Sequence, residues 1–303
     1  MKLQYNQQNE FKIVQLTDLH IGSQPHHEDD LKTFELIERA FQDLKPDLVI
    51  FTGDLMWSDG VPHSDKIFVE LLERFNKFDV PVAITYGNHD AEDEFSRGEI
   101  RELEKVLKNH VDKKNSFIVE DRECYTIEIF DQTGSQLEHV LYIVDSGADA
   151  PLPVGIYEWV HPEQVSWYRN TALLYQDKTK QTLSHNAIFT HIPIPEYREV
   201  TQSIISGECN ETNDTISAPY INTGLFANAY ISGDVKAIFA GHDHDNNFVG
   251  DHFGIKLVYG QVSGYQCYGD LERGARIINF SPVGIETHTV TESQFVHDIN
   301  KQH

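Results

Sequence analysis

The chain has 303 residues, of which 40% are hydrophobic, so it can bury at least one large core. It carries 24 Lys and Arg against 48 Asp and Glu, a formal net charge of −24, and it contains no basic tract. Such a surface repels polyanions and argues against extended nucleic-acid binding, whereas a small phosphorylated substrate is compatible with it because bound cations reverse the field locally.

Hydropathy and cysteine content bear on where in the cell the protein is located. No apolar run approaches the roughly 20 residues that a membrane span requires, and the polar stretch at 1–10 is unlike a secretory signal. We therefore expect a cytoplasmic protein without a membrane partner. Three widely spaced cysteines, Cys124, Cys209 and Cys267, are interpreted as reduced thiols that pack as small hydrophobes.

Strand and helix signals alternate in the first part of the chain. Short apolar runs rich in β-formers are followed by segments with apolar residues at helical spacing. The predicted elements in order are a strand at 11–17, a helix at 31–44, a strand at 48–52, a helix at 67–75, a strand at 81–86 and a charged, solvated helix at 98–110. These β-α-β units predict parallel strands covered by helices.

The middle of the chain changes character. Two β-rich runs at 124–130 and 137–144 flank a turn sequence and predict an antiparallel hairpin, and 161–175 has a helical pattern with Pro162 in its first turn. Poor periodicity over 193–234 predicts a long loop, interpreted as the rim or lid of a site, with a mobile insertion unrelated to chemistry as the alternative.

The last part returns to strands. Apolar runs at 255–259, 275–280 and 284–290 predict three of them, and the polar ends 1–10 and 291–303 are expected to be flexible. We interpret 1–303 as a single domain, because the candidate functional residues described next span most of the chain.

Five segments share one design, in which an apolar run ends in residue types that bind metals. These residues are Asp18 and His20; Asp54; Asn88, His89 and Asp90; His191; and His242 and His244. We expect them to converge at one edge of a sheet and to form a two-metal centre. Asp54 is the best candidate for a bridging carboxylate, whereas His242 and His244 could serve the same metal or different ones. Nitrogen and oxygen ligands without thiolate suit Mn, Fe, Zn, Co or Ni better than Ca or Mg.

The ordered set DxH, GD, GNHD, a lone His and GHxH resembles the calcineurin-like metallophosphoesterase superfamily. The resemblance implies a four-layer αββα sandwich of two mixed β-sheets flanked by helices, with metals at the strand ends. It assigns the first metal to Asp18, His20, Asp54 and His244 and the second to Asp54, Asn88, His191 and His242. It also assigns to His89 the role of general acid.

A narrower resemblance is to the purple acid phosphatase-29-like and Dcr2-like branch, through the segments 155–159, 191–197, 233–237 and 241–244. Purple acid phosphatases have a metal-binding tyrosinate three residues after the bridging Asp, where this chain has Trp57. We therefore expect two exchangeable divalent ions instead of a ferric-tyrosinate centre, with manganese as the first choice and iron, zinc or nickel as alternatives.

The predicted function is hydrolysis of phosphoric esters, with a metal-bridging hydroxide as nucleophile and protonated His89 as the donor to the leaving group. Asp90 is expected to orient or charge-stabilise His89, with helix capping as the alternative. A phosphomonoesterase acting on a small phosphorylated substrate or a phosphoprotein is favoured. A phosphodiesterase acting on cyclic nucleotides or nucleotide-linked diphosphates is the first alternative, and a catalytically inactive metal-binding scaffold is the second.

Three further residues are predicted to bind substrate because they adjoin the site segments. They are Arg198, Tyr197 and Tyr265, which could clamp a phosphate or stack on a leaving group. Packing is the alternative role for the tyrosines.

Overall fold

The structure is a computed structural model that describes residues 2–92, 94–151, 153–179, 185–211 and 216–295. Parts of the predicted regions lie outside these residues: residue 1 and 296–303 of the ends expected to be flexible, and 212–215 of the predicted rim segment. Among the described residues no helix is long and apolar enough to cross a membrane.

The described residues form fourteen strands and six α-helices. The strands are β1 (Leu3–Gln4), β2 (Phe11–Leu16), β3 (Leu48–Thr52), β4 (Val82–Thr85), β5 (Lys114–Val119), β6 (Arg122–Phe130), β7 (Leu137–Val144), β8 (Asn186–Phe189), β9 (Ile204–Ser206), β10 (Val235–Ala240), β11 (Val249–His252), β12 (Ile255–Tyr259), β13 (Gly274–Ser281) and β14 (Gly284–Thr291). The helices are α1 (Glu28–Leu44), α2 (Ser64–Phe75), α3 (Arg97–Leu103), α4 (Pro162–Thr179), α5 (Leu225–Ser232) and α6 (Glu292–Phe295).

The strands form two mixed sheets. The smaller has the order β14-β13-β2-β3-β4, in which β2, β3 and β4 are parallel and β13 is antiparallel to both of its neighbours. The larger has the order β1-β6-β7-β8-β10-β12-β11-β9, with β5 paired to β6. The antiparallel pairing of β6 with β7 confirms the predicted hairpin, and β12, β13 and β14 confirm the predicted strands near the C-terminal end.

Alternation along the strands builds the layers, because successive side chains of a strand face opposite sides of its sheet. In β2, Ile13 belongs to a core shared by the two sheets, whereas Val14 belongs to the core between the smaller sheet and helices α1 and α2. A third core joins the larger sheet to α4 and α5. The predicted αββα sandwich is therefore confirmed.

The helix predicted over 98–110 is wrong in its length and its exposure. Helix α3 ends at Leu103 and is followed by a 3₁₀ turn, Glu104–Val106. The chain then runs beside β4, where the N–H of Val82 donates to the carbonyl of Asn109 at 2.9 Å. Residues after α3 thus pair with the edge of the smaller sheet instead of continuing the helix. Arg97 and Ile100 of α3 are buried, so the helix is not solvated on all sides.

The segment 193–234 is more regular than predicted. Its described part contains a 3₁₀ helix at Pro195–Val200, strand β9 at the edge of the larger sheet, and α5, which packs against α4. These elements are too short to produce a clear hydrophobic periodicity in the sequence. Its role as a rim or lid stays a prediction.

Candidate metal centre

The predicted ligand residues lie where strands of both sheets end. Asp18, Asp54 and Asn88 follow β2, β3 and β4 of the smaller sheet, and His191 and His242 follow β8 and β10 of the larger one. The expectation that they meet at one edge of a single sheet is therefore wrong. The site lies between the strand ends of two sheets. Sequence periodicity shows where a strand ends but not which sheet the strand joins.

Close backbone packing fixes the loops that carry these residues. The amides of Asp18 and Leu19 donate to the carbonyls of Gly53 and Asp54 at 3.1 and 2.7 Å, so the loops after β2 and β3 run together. At Gly87 an added Cβ would lie 2.1 Å from Asp54 Oδ1 and 2.5 Å from its amide nitrogen. Glycine at this position lets the loop after β4 approach Asp54 closely enough to share a site.

Several of the predicted ligands have backbone conformations that are rare outside glycine. Four have a positive φ: Asp18 (56°), His20 (47°), Asp54 (51°) and His242 (80°). Such strain costs roughly 1–3 kcal/mol per residue and persists where the surroundings over-determine it, commonly at functional sites.

Asp54 stands at the centre of the cluster. Its Oδ2 lies 3.4 Å from His20 Nε2 and 3.1 Å from His191 Nε2, and Asp54 belongs to two separate groups of potential ligand atoms that each span less than 4.8 Å. One group contains Asp18, His20 and Asp54, and the other contains Asp54, His191 and His242. A carboxylate shared in this way has the position of a bridging ligand.

The remaining predicted ligands border the same cluster. Asn88 Oδ1 and His242 Nδ1 each lie 3.2 Å from His191 Nε2, and His244 Nε2 lies 3.5 Å from Asp18 Oδ1. His191 Nδ1 is 2.8 Å from the carbonyl of Thr52, a contact that fixes the ring and leaves Nε2 for the cluster. The structure thus brings all seven predicted ligands together.

Three buried ring nitrogens at this cluster find no hydrogen-bond partner among the described residues. They are His20 Nε2, His242 Nε2 and His244 Nδ1. A buried polar atom without a partner costs about 1–3 kcal/mol, and a cation would remove part of that penalty. The donor set of imidazole nitrogens, carboxylates and one amide oxygen therefore fits a divalent transition metal.

The electrostatic environment keeps two of the imidazoles neutral, as ligation requires. Burial lowers the pKa of His20 to about 4, and burial together with His191 lowers the pKa of His242 to about 3. His191 differs: burial lowers its pKa, but the charge and hydrogen bond of Asp54 outweigh burial and raise it to about 9. A proton on His191 and a cation would therefore compete for the same site.

His89 lies at the exposed edge of this cluster, with 24% of its side chain accessible. Its Nδ1 is 2.9 Å from Glu92 Oε1, and its ring stacks on that of Trp57 with centroids 4.3 Å apart. Burial lowers the pKa of His89, but the hydrogen bond to Glu92 and the charges of Asp54 and Glu92 outweigh it, so the pKa is raised above its ordinary value. The raised pKa favours the protonated imidazole, which is the form that an acid requires.

The structure corrects the role predicted for Asp90. Its side chain is fully buried, and its two oxygens accept four backbone N–H groups, from Asp54, Leu55, Met56 and Gly87, at 2.7–3.0 Å. The carboxylate that orients His89 is that of Glu92. Asp90 instead fastens the loop after β3 to the loop after β4.

The predicted substrate-binding residues are also partly corrected. Tyr197 is fully buried, and its hydroxyl donates to the carbonyls of Ile238 and Val258, so it is a core residue. The hydroxyl of Tyr265 donates to the carboxylate of Glu292 in α6. This hydrogen bond ties Tyr265 to that helix.

Arg198 stays a candidate for substrate binding. Its guanidinium donates to the carbonyls of Ala218 and Pro219 within the predicted rim segment. It lines a hollow of about 430 Å³ together with Tyr157, whose ring meets that of His242 edge-on at 4.3 Å between centroids.

Other residues at the site carried no sequence signal of function. Arg97 precedes the helix predicted over 98–110, and it donates to Asp145 and to the carbonyls of Gly87 and Gly147. Glu92 contacts His89 at 2.9 Å. The sulfur of Cys267, which the sequence predicts to pack as a small hydrophobe, lies within 4.8 Å of ring nitrogens of His20 and His244. A contact across 247 residues of sequence leaves no trace in local periodicity.

The chain resembles known proteins in both sequence and fold. A profile of the calcineurin-like phosphoesterase family matches residues 11–246. "Probable inactive purple acid phosphatase 29" of Arabidopsis thaliana is 29% identical over 91% of this chain and 78% of its own length. "Phosphatase DCR2" of Saccharomyces cerevisiae is 29% identical over 82% of this chain and 46% of its own length.

Solved structures agree in fold. A dimetal phosphatase from Danio rerio superposes with a TM-score of 0.60 and 15% identity, over 92% of this chain and 98% of that one. The purple acid phosphatase PPD1 from yellow lupin superposes with a TM-score of 0.55 and 14% identity, over 92% of this chain and 51% of that one.

Proposed function

The chain belongs to the calcineurin-like phosphoesterase family, and from that premise we propose that it hydrolyses phosphate monoesters at the metal centre between its two sheets. The resemblance to the purple acid phosphatase-29-like and Dcr2-like branch is confirmed by the relatives it matches. The substrate in this proposal is a small phosphorylated molecule or a phosphoprotein.

One observation carries the proposal. Seven side chains of ligand type converge from both sheets into a single buried cluster, and an imidazole stands beside them at the exposed edge. Three buried ring nitrogens of this cluster have no hydrogen-bond partner among the described residues, and such atoms destabilise a structural core unless something binds them.

The groups of ligand atoms support two metal positions, with the ligand assignment that the family resemblance implies. In the proposal Asp54 would be shared by the two ions. Asp18, His20 and His244 would hold one of them, and Asn88, His191 and His242 would hold the other. Two divalent cations bound there, with manganese the first candidate, would lower the pKa of water and offset negative charge on the phosphoryl oxygens.

The protein supplies the remaining chemistry through His89. Its protonated imidazole, charge-stabilised by Glu92, gives a proton to the leaving-group oxygen as the ester bond breaks. Trp57, which stacks on His89, also lines a hollow of about 390 Å³. Its other lining residues are His20, Gly22, Ser23, Val61 and Gln266. In the proposal the leaving group occupies this hollow.

The experiment compares p-nitrophenyl phosphate with bis-p-nitrophenyl phosphate. Metal-stripped protein is refilled separately with Mn, Zn, Fe or Ni, and Asp54→Asn is compared with Asp131→Asn, a change in an exposed turn. We expect faster hydrolysis of the monoester by the wild type and by Asp131→Asn, and loss of hydrolysis in Asp54→Asn. A preference for the diester would replace the proposal with the phosphodiesterase alternative.

A second candidate function is an inactive metal-binding scaffold. The observation that favours it is the name of the Arabidopsis relatives, three of which are called probable inactive purple acid phosphatases. This chain nevertheless retains His89 and every residue of the predicted ligand set. Two bound metal ions per chain without hydrolysis of either substrate under any metal would favour the scaffold.

A further inference from the structure

Cys267 stands in a part of the cluster that the ligand assignment does not use. Its sulfur and one ring nitrogen each from His20 and His244 all lie within 4.8 Å of one another. Metal–sulfur and metal–nitrogen bonds of about 2.3 and 2.1 Å join atoms up to about 4.4 Å apart, so a small side-chain rotation brings the three atoms onto one ion.

The thiol is held at this position by the loop that carries it. Arg273 donates to the carbonyls of Gly264, Gly269 and Cys267 at 2.9, 3.0 and 2.7 Å. Gly264 lies so close to the loop after β2 that an added Cβ would be 2.4 Å from the carbonyl oxygens of Asp18 and Leu19. The position of the sulfur is thus built into the fold.

The two histidines beside the sulfur are buried and have ring nitrogens available for a ligand. His20 and His244 are only 4% and 5% exposed, and His20 Nε2 and His244 Nδ1 find no hydrogen-bond partner among the described residues. The thiol itself contacts the main-chain carbonyl of Asp18 at 2.9 Å, a weak hydrogen bond that a metal–sulfur bond outweighs.

We propose that Cys267 is a thiolate ligand of the metal ion that His20 and His244 hold, which makes one of the two positions a mixed nitrogen, oxygen and sulfur site. On binding, the Sγ–H bond breaks, the proton passes to solvent, and the sulfur electron pair forms the bond to the metal, with no change in oxidation state. The inference rests on the proposed function in that both require a metal at this cluster.

A sulfur donor changes which metals the site prefers. Thiolate is a soft ligand that selects zinc or iron, whereas manganese favours carboxylate and other oxygen donors. The proposal therefore moves the preference of one position away from manganese, and it makes the two positions chemically distinct although they share Asp54.

The test uses cobalt and zinc as probes in the full chain. Metal-stripped wild type, Cys267→Ser, Cys267→Ala and the control Cys209→Ser are loaded with Co²⁺, and the number of ions per chain and the near-ultraviolet absorption are measured. We expect two ions and a thiolate-to-cobalt charge-transfer band in the wild type and the control, and loss of the band in both Cys267 variants. The visible bands of cobalt bound by the remaining ligands should persist.

X-ray absorption of the zinc-loaded wild type gives a readout that depends on no variant. We expect one sulfur per two zinc ions, at about 2.3 Å from its metal. Two ions per chain with neither the charge-transfer band nor a zinc–sulfur contribution would overturn the inference and leave the proposed function standing. A wild type that binds neither cobalt nor zinc would overturn both.

Discussion

Nδ1 of His89 lies 2.9 Å from Oε1 of Glu92, three residues further along the loop. The carboxylate fixes which ring nitrogen is engaged and favours the charged imidazole. Trp57 stacks on the ring, with the two planes 21° apart. The proposed acid is therefore positioned by residues outside the ligand set.

Glu92→Gln should narrow the pH range of activity. The Glu92 charge raises the pKa of His89, so its removal lowers that pKa and the protonated imidazole is lost at a lower pH. We expect the alkaline limb of the kcat profile to move to lower pH while the metal content stays at the wild-type value. The measurement is the pH–rate profile of Glu92→Gln beside that of Glu94→Gln, whose carboxylate accepts the backbone amide of His63. An unchanged alkaline limb would remove Glu92 from this role.

His89→Gln should slow hydrolysis most for poor leaving groups. General acid catalysis is typically worth about 100-fold to 10,000-fold, and its benefit grows as the departing oxygen becomes more basic. We expect a larger loss of kcat with phenyl phosphate than with p-nitrophenyl phosphate, measured on protein with equal metal content. Equal losses with the two substrates would contradict proton donation by His89.

The sequence predicted much of this site because metal ligands have strong chemical constraints. An apolar run precedes each of Asp18, Asp54 and His191. Both the run and the ligand-type residue after it are local features that a sequence shows directly. The two-sheet arrangement came from the family resemblance, because alternation along β2 or β8 does not tell which sheet a strand joins.

The residues that the sequence missed act through contacts that only the folded loops create. Glu92 acquires its role only when the loop after β4 folds back on itself, and Cys267 reaches His20 through a loop positioned by Arg273. Tyr197 shows the opposite error, since proximity in sequence to His191 suggested substrate binding, whereas the 3₁₀ turn directs its side chain into the core.

Asp90→Asn should destabilise the fold in the absence of metal. Each Asp90 oxygen accepts two buried N–H groups, and the amide nitrogen of Asn would leave two of them without an acceptor. With about 1–3 kcal/mol per buried donor, the expected loss is about 2–6 kcal/mol in the free energy of unfolding. Chemical denaturation of metal-free protein measures it.

The matched control for this variant is Asp131→Asn. Asp131 also accepts two backbone amides, from Ser135 and Gln136, but at an exposed turn where water replaces lost hydrogen bonds. We expect a loss below about 1 kcal/mol there. Equal losses in the two variants would mean that Asp90 does not fasten the two site loops more strongly than an ordinary turn residue.

Gly87→Ala should reduce the number of bound metal ions per chain below two. The new methyl group would meet Asp54 Oδ1 at 2.1 Å, so either the loop after β4 or the Asp54 carboxylate must move, and the position shared by the two ligand groups is lost. Gly254→Ala is the control, because no atom of the described residues lies within 4 Å of its added Cβ. The positive φ of Gly254 opposes the change, at roughly 1 kcal/mol. Metal analysis after dialysis should give two ions for Gly254→Ala and fewer for Gly87→Ala. Two ions retained by Gly87→Ala would show that Asp54 does not need its present position to hold both metals.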